Sequence, residues 1–499
     1  MNPEEEYYKH RLNVIADGGN DAKYPNDFKP SISFPLFIST WSYLENGDTD
    51  EVLVQVAARV VNKREASKAL IFFDVTGDTA TENHLQVLLS MKGYEGEQHY
   101  QCLPYAEIKK TINRGDIIGV IGLPHRSKRG ELSVLCKGIR LLAPCLRELP
   151  RNLEDQQSLR VLQYIANPQL KNVIYLRAAV LKFIRSFLDD NEFTEVETPM
   201  LEYGTGANAK PFTTYYEALK CQVNLRVAPE LYLKMLVMAD VGRVYEIGKQ
   251  FRNEGMDSTH RPEFTSCEFY YPHATMLDLI PTTEALLSGL YDKLQTHVAM
   301  NCDVDWTPPY RRIDIVPALE DICHTHIDLT LSQEELAAKL TTLIHEKQLT
   351  MPDEKNSVPK LFDTLISGLL EPLCHNPTFL INHPAVMCPL AKNYTSDSTE
   401  GSLISQRFEL FVKGKELCNA YSELNNPVLQ REKLRKQEEA KALGDSETIT
   451  VDEAYCQSME YGFCPTAGWG IGLDRLLMLL TSSEHIRDVI TFSLSKSAK

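Results

Sequence analysis

TAGWGIGLDRLLMLL, residues 466–480, changes period halfway along. Gly468, Gly470 and Gly472 recur at every second position, the repeat of a strand, and strand glycines mark places where something approaches the backbone closely. From Leu473 the apolar residues follow a helical spacing, with Arg475 in the first turn. The glycines fit neither G-x-G-x-x-G nor G-x-x-x-x-G-K-[ST], so this junction is no dinucleotide or P-loop fingerprint. A cation is unfavourable at the positive end of a helix dipole. Arg475 therefore calls for an anionic or aromatic partner from elsewhere in the fold.

Upstream, GRVYEIGKQFRNEG (242–255) and RPEFTSCEFYY (261–271) read as two strands of a hairpin joined by a polar loop. Alternation puts Arg252 with Glu254 on one strand face, and Phe264, Ser266 and Glu268 together on the other strand. Two acids, an arginine and an aromatic thus converge on one side of a sheet, either as a site or as an ion-pair network. FTEVETPML (193–201) reads as an edge strand closed by Pro199. Before it, residues 172–190 place Val173, Leu176, Val180, Phe183, Ile184 and Phe187 on one helical stripe. Residues 274–300 and 331–347 read as amphipathic helices interrupting the strands, and 428–443 as a charged surface helix.

The first third of the chain has another character. VLVQVAARVV (52–61), KALIFFDVTG (68–77), HLQVLLS (84–90), DIIGVIGLP (116–124) and GELSVLCKGIRLLA (130–143) are short, β-rich and separated by turn residues. Five such strands suggest a small closed barrel of the OB type. The expected fold is α+β: residues 1–50 an N-terminal region, 51–145 the barrel, 146–165 a linker, and 166–499 an antiparallel sheet flanked by helices, with a helical insertion at about 274–375.

The 499 residues carry a net charge of −16, which argues against a general nucleic-acid coat. The acidity sits in the larger C-terminal part. The barrel region is nearly neutral and carries local basic runs, Arg59-Lys63-Arg64-Lys68 and Arg126-Lys128-Arg129. Twelve cysteines without a C-x-x-C pair fit reduced thiols rather than a zinc site or a disulfide scaffold. The acidic N-terminus has neither an apolar signal core nor transit-peptide bias, so a cytoplasmic protein without a membrane partner is expected. His324 and His326 have no partner ligands nearby in sequence, and no metal site is expected there.

Taken in order, 193–201, 242–271 and 466–480 resemble the three signature motifs of the class II aminoacyl-tRNA synthetases. With RFELFVKGKELCNAYSELN (407–425), the barrel segments ALIFFDVTGD, RGDIIGVIGLP and GELSVL, and the following LLAPCLRELP, the likeness narrows to the lysyl-tRNA synthetases over about residues 50–490. The resemblance implies an ATP-dependent lysine–tRNA ligase using Mg²⁺, with tRNA(Lys), ATP and L-lysine as partners, working as a homodimer through the first motif.

It also implies roles. Glu230 and Glu423 would hold the substrate ε-ammonium, Glu268 would sit near its α-amino group, and Asn419 and Tyr421 would line the pocket. Two acids select a compact cation, because a neutral analogue leaves them buried and unpaired. Arg252 would clamp the α-phosphate and the substrate carboxylate. Glu254 would contact the nucleotide and His260 the triphosphate. Phe264 and Arg475 would sandwich adenine. Glu409 and Glu416, flanking a Lys413-Gly414 turn, would bind Mg²⁺, with Glu416 also serving ATP. Strict alternation puts Glu416 opposite Asn419 and Glu423, so a β-bulge near 416–419 is expected. On the barrel, Arg59, Phe72, Gln86 and Glu131 match positions that read anticodon bases, while one of Phe72 and Phe73 must point into the core.

The chain departs from relatives at Thr205 in TGA (205–207), at Arg261, at YPHATM (271–276) and at its end, ITFSLSKSAK (490–499). It lacks the lysine-rich stretch that many eukaryotic relatives carry before the barrel, so tRNA affinity is expected to rest on barrel and catalytic region, through basic patches and with salt sensitivity. An aspartate- or asparagine-specific relative would need a cationic pocket, opposite to Glu230 and Glu423. A non-catalytic paralogue would be expected to lose one of Arg252, Glu254, Glu409, Glu416 and Arg475, and all are present.

Overall fold

The computed structural model describes residues 3–16, 24–77, 84–96, 102–150, 159–203, 209–353, 357–394, 403–442 and 452–493. The TGA stretch at 205–207 and the last six residues lie outside these. The chain divides into two compact units, Met1–Lys171 and Asn172–Lys499.

The first unit is built on a closed five-stranded barrel: β1 (Val54–Ser67), β2 (Leu70–Thr76), β3 (His84–Ser90), β4 (Ile117–Arg126) and β5 (Leu132–Ala143), ordered β1-β2-β3-β5-β4. Strand alternation produces its core: Val54, Val56, Ala58 and Val60 on β1, Ile71, Phe73 and Val75 on β2, and Val87 and Leu89 on β3 are buried. The expected strands are all present, and β1 runs past its expected end at 61 to Ser67. Packing does not stop at residue 51. A short helix, Phe34–Thr40, delivers Phe34 and Phe37 to the barrel core, with Trp41 and Leu44 following. The helix Pro3–Ala16 buries Arg11, whose guanidinium grips Asp116 at 2.7 and 2.9 Å and donates to the Thr111 carbonyl.

In the second unit eight strands form the main sheet, ordered β12-β13-β14-β15-β16-β11-β10-β6. Its members are β6 (Thr194–Glu195), β10 (Val244–Phe251), β11 (Glu263–Pro272), β12 (Arg311–Asp314), β13 (Thr378–Ile381), β14 (Arg407–Val412), β15 (Lys415–Ser422) and β16 (Thr466–Gly472). A small separate sheet holds β7 (Leu201–Glu202), β8 (Thr213–Tyr216) and β9 (Cys221–Leu225). The main sheet is antiparallel from β13 to β10, whereas both outermost pairs, β12–β13 and β6–β10, are parallel. Only Thr194 and Glu195 of the expected 193–201 edge strand pair with β10. The helix Gln169–Asp190 begins three residues before the expected start and buries Leu176, Val180, Ile184 and Leu188 against the main core, together with the helices Met276–Leu294 and Leu473–Thr481.

The region expected as a helical insertion is not detached. It contains the helices Ile315–Cys323, Gln333–Glu346 and Val358–Leu369, but its strand β12 extends the main sheet, and one apolar cluster joins Leu340 and Phe362 to Leu380 and Phe411 of β13 and β14.

Candidate active site

Two rows of residues run across the sheet. Glu246, Glu268, Gly470, Asn419 and Glu409 lie opposite one another from β10 to β14. The next row on that face, two residues along, holds Val244, Tyr270, Gly468, Tyr421 and Arg407. Paired residues share a face, so the acids, amide, tyrosines and arginine project together. All of these but Glu246 line a cavity of about 490 Å³, to which Glu230, Arg252, Glu254, His260, Phe264, Glu416 and Arg475 also contribute.

Glycines make the room. A Cβ on Gly468 would stand 2.2 Å from a Glu423 oxygen and 2.7 Å from the Tyr270 ring; one on Gly470 would stand 3.3 Å from Glu268 Cγ. This is the close approach that the period-two glycines signalled.

The expected bulge is there. Leu410 faces Cys418 but Phe411 faces Glu416, leaving Leu417 unopposed on β15. Lys413 and Gly414 both have positive φ, as a two-residue hairpin turn of primed type requires. The extra residue sends Leu417 into the core and puts Glu416 on the cavity side with Glu409 and Asn419.

At the acidic end, the helix Glu230–Met238 places Glu230 one turn before Lys234. The Lys234 Nζ is fully buried and lies 2.6 Å from Glu230 Oε1 and 2.5 Å from Glu423 Oε2. Tyr421 donates its hydroxyl to Glu230 Oε1 as well. The rings of Tyr421 and Tyr270 stand 5.4 and 5.9 Å from the ammonium. Burial alone would strip the proton from Lys234, but Glu230 and Glu423 hold its pKa above the usual range. Glu423 is only 1 % exposed and is absent from the cavity lining, while Glu230 and Glu268 face the cavity. Burial raises the Glu423 carboxyl more than Lys234 lowers it. Burial, with Glu230 adding to it, pushes Glu268 up to about 8. Behind this row, Arg226 and Glu246 form a buried pair at 2.5 Å, and Glu246 also accepts from Thr198.

At the other end, Arg252 and Glu254 do not share a strand face, contrary to the alternation reading. β10 ends at Phe251, and the backbone is drawn off the strand where Asn253 N donates to the Lys210 carbonyl at 2.7 Å. Both side chains still line the cavity. The Arg252 guanidinium lies 5.1 Å over the Phe264 ring, and its Nε is buried without a partner. Arg475 has the outside partners its helix position called for: Nη1 donates to the Glu416 carbonyl at 2.8 Å, and Nη2 meets His260 Nε2 at 2.7 Å. Since a guanidinium only donates, His260 Nε2 accepts and Nδ1 carries the hydrogen, which goes to Asp257 Oδ2 at 2.8 Å. Burial opposes ionisation of Asp257, but bonds from Thr259 and His260 outweigh it and hold the carboxyl far below the usual range.

Glu409 is held from two sides, by Arg407 Nη2 at 2.5 Å and by His383 Nε2 at 3.2 Å. Burial would raise its pKa; Arg407 and His383 bring it down to the ionised state. Arg407 also donates to Asn419 at 3.0 Å, so one buried arginine orients both residues. Burial and the nearby Glu409 raise Glu416. Among the described residues no group of three His, Cys, Asp or Glu side chains is arranged to hold a metal on its own.

Four supporting residues escaped the sequence reading: Lys234, Arg226, Arg407 and Asp474. Asp474 accepts from Arg177 at 2.5 Å and from Thr265 N at 2.7 Å, tying the helix after Gly472 to β11. Of these, Lys234 had a local signal in its i,i+4 spacing from Glu230 and Arg407 in its i,i+2 spacing from Glu409.

On the barrel, Phe73 is buried and Phe72 stands partly exposed outside, with the Arg64 guanidinium 5.8 Å from its ring. Gln86 donates to Glu131 at 2.8 Å, and Arg59 donates to the Gly115 carbonyl at 2.7 Å. His326 bonds Glu320 at 2.6 Å, in keeping with a structural role. No helix among the described residues is long and apolar enough to cross a membrane.

A family model described as tRNA synthetases class II (D, K and N) matches residues 152–496. Over its near-full length the chain is 37 % identical to the lysine–tRNA ligase of Cladosporium cladosporioides, covering 99 % of this chain and 84 % of that protein. It is 38 % identical to a probable cytoplasmic lysine–tRNA ligase of Encephalitozoon cuniculi, covering 99 % and 98 %. The lysine–tRNA ligase of Thermosipho melanesiensis is 37 % identical, with 94 % and 92 % covered.

Proposed function

The chain belongs to the class II tRNA synthetases of the D, K and N group, and from that premise we propose that it is a lysine–tRNA ligase working in the cytoplasm as a homodimer. It activates L-lysine with ATP to lysyl-adenylate and pyrophosphate, then passes the lysyl group to the 3′-terminal adenosine of tRNA(Lys). The observation that carries the substrate choice is the cavity's polarity: acids Glu230 and Glu268 at one end, Arg252 and Arg475 at the other.

No nucleophilic side chain is needed. The substrate carboxylate attacks the α-phosphorus in line, and the protein supplies position and charge neutralisation. Arg252 neutralises the attacking carboxylate and the α-phosphate as charge accumulates between them. Adenine lies between Phe264 and Arg475, with Arg252 swinging from the Phe264 face toward the phosphates. Glu254 contacts the nucleotide, and His260 stands near the triphosphate, its Nδ1–H held by Asp257 and its Nε2 accepting from Arg475. Glu230 and Glu268 face the substrate ammonium groups. Glu423 acts from behind them through Lys234, while Asn419 and Tyr421 shape the wall.

Glu409 and Glu416 supply hard oxygen donors that fit Mg²⁺ arriving with ATP, since two carboxylates need phosphate oxygens to complete an octahedral shell. The bound ion would neutralise charge on the leaving pyrophosphate. The barrel binds the anticodon, with Phe72 as a stacking platform and Arg59, Gln86 and Glu131 at base edges.

The test is ATP–pyrophosphate exchange across the twenty amino acids. Stimulation by lysine is expected; stimulation by aspartate or asparagine without lysine would overturn the specificity. Sedimentation of the protein as a monomer at working concentration would overturn the dimer.

A further inference from the structure

Three carboxylates, Glu230, Glu268 and Glu423, surround a pocket whose proposed substrate brings two ammonium groups. One negative charge is left over, and a buried unmatched charge is strongly unfavourable. The structure holds the third cation already. Lys234 Nζ bridges Glu230 and Glu423, and neither Lys234 nor Glu423 faces the cavity. The remaining Glu423 oxygen, Oε1, has no donor and is pressed against the Gly468 backbone.

We propose that Lys234 is a positioning residue that sets substrate specificity, an internal ammonium that fixes the pocket at two net negative charges and so matches it to a diamino acid. This rests on the site reading above. Once lysine has drawn all three acids into their ionised forms, Lys234 brings their sum to −2, and the α- and ε-ammonium groups bring the total to zero, while Arg252 answers the substrate carboxylate separately. A monoamino acid would leave one acid uncompensated in a poorly hydrated site. Without Lys234 the ionised acids would sum to −3, so the lysine-bound pocket keeps one proton in the place of Lys234 and one acid is lost to the substrate.

The groups that face the Lys234 ammonium come from four elements: Glu230 on its own helix, Tyr421 on β15 with Glu423 just beyond it, Tyr270 on β11, and Tyr455 on the helix Glu453–Glu460. None besides Lys234 is cationic, so no neighbour replaces its charge.

The experiment compares full-length wild-type protein with Lys234→Met in lysine-dependent exchange between about pH 6 and 8.5. The KM for lysine is expected to rise about tenfold or more, with the KM for ATP changed less than about twofold. The variant's lysine KM should depend on pH less steeply than the wild type's. Proton release on lysine binding, read by calorimetry in two buffers of different ionisation heat, should decrease by about one proton. A raised KM with the wild-type pH slope and wild-type proton release would overturn the proposal, leaving Lys234 as packing. Lys234→Gln, which keeps hydrogen bonding without the charge, is measured in parallel; if Met fails to fold, Gln is read by the same criteria. A lysine KM unchanged by Glu230→Gln would instead overturn the site reading itself.

Discussion

The Lys234 ammonium stands 2.5 Å from the Glu423 carboxylate, and both side chains are closed to solvent. Glu423, expected to face the substrate as one of two acids gripping an ε-ammonium, instead faces a lysine of its own chain. The same Nζ also meets Glu230, which lines the cavity. Removing either partner of a buried pair leaves an uncompensated charge, so pocket and fold are coupled at this point.

The glycine row gives a graded prediction. Gly468→Ala forces a methyl group to 2.2 Å from Glu423 and 2.7 Å from Tyr270. Gly470→Ala requires Glu268 to yield only a few tenths of an ångström, and Gly472→Ala meets atoms no closer than 3.9 Å. Lysine-dependent exchange should fall about a hundredfold for the first, several-fold for the second and little for the third. Steady-state kinetics on the three proteins check the order.

The raised Glu268 gives a pH prediction. Its carboxyl titrates near 8 when folded against an ordinary 4.5. Between those values the native state holds a proton that the unfolded chain has lost, so this group's contribution to stability is lost as pH rises through that window. Lysine favours the ionised form. Its KM should therefore fall as pH rises from about 6 to 8, by up to about tenfold per unit, and the thermal upshift from saturating lysine should grow in parallel. Glu268→Gln should flatten both profiles.

Arg252→Ala removes the guanidinium proposed to neutralise the reacting carboxylate and phosphate. Exchange should drop about a hundredfold or more, with the melting temperature nearly unchanged because Arg252 lies in a loop after β10. Exchange within a few-fold of wild type would remove it from the mechanism.

Phe72→Ala should leave exchange intact and weaken tRNA charging, by about 1–3 kcal/mol in tRNA affinity if one base stacks on the ring. Its neighbour Phe73 is buried in the barrel, so Phe73→Ala should instead unfold or destabilise that unit. Charging assays beside thermal melts separate the two. Tighter tRNA binding at low salt is expected for both wild type and Phe72→Ala.

Arg11→Met strands Asp116 inside the first unit, where both side chains of the pair are fully buried. A loss of about 3–5 kcal/mol is expected, visible as earlier denaturant unfolding of that unit. Lysine-dependent exchange measured below the transition should be spared.

Local rules made much of the fold legible. Alternation gave the five barrel strands and told Phe72 from Phe73 up to a choice of face, and the glycine period located the row where side chains crowd the backbone. The Lys413-Gly414 pair marked a hairpin turn, and the conflict between alternation and shared chemistry at Glu416 pointed to a bulge. Other features had no local signature. The parallel pairings of β6 with β10 and of β12 with β13 join elements distant in sequence. Phe34 and Phe37 enter the barrel core from a seven-residue helix too short to show a period.

The sequence by itself determined which segments are strands and which are helices, and roughly which side chains share a face, because strand and helix periods are properties of a few consecutive residues. Only the tertiary structure decided their partners. That Arg407 reaches Asn419, that His260 meets Arg475, and that Lys234 meets Glu423 follow from the packing of elements distant in sequence. Charge pairing in a buried site acts over a few ångströms of space, whatever the separation along the chain.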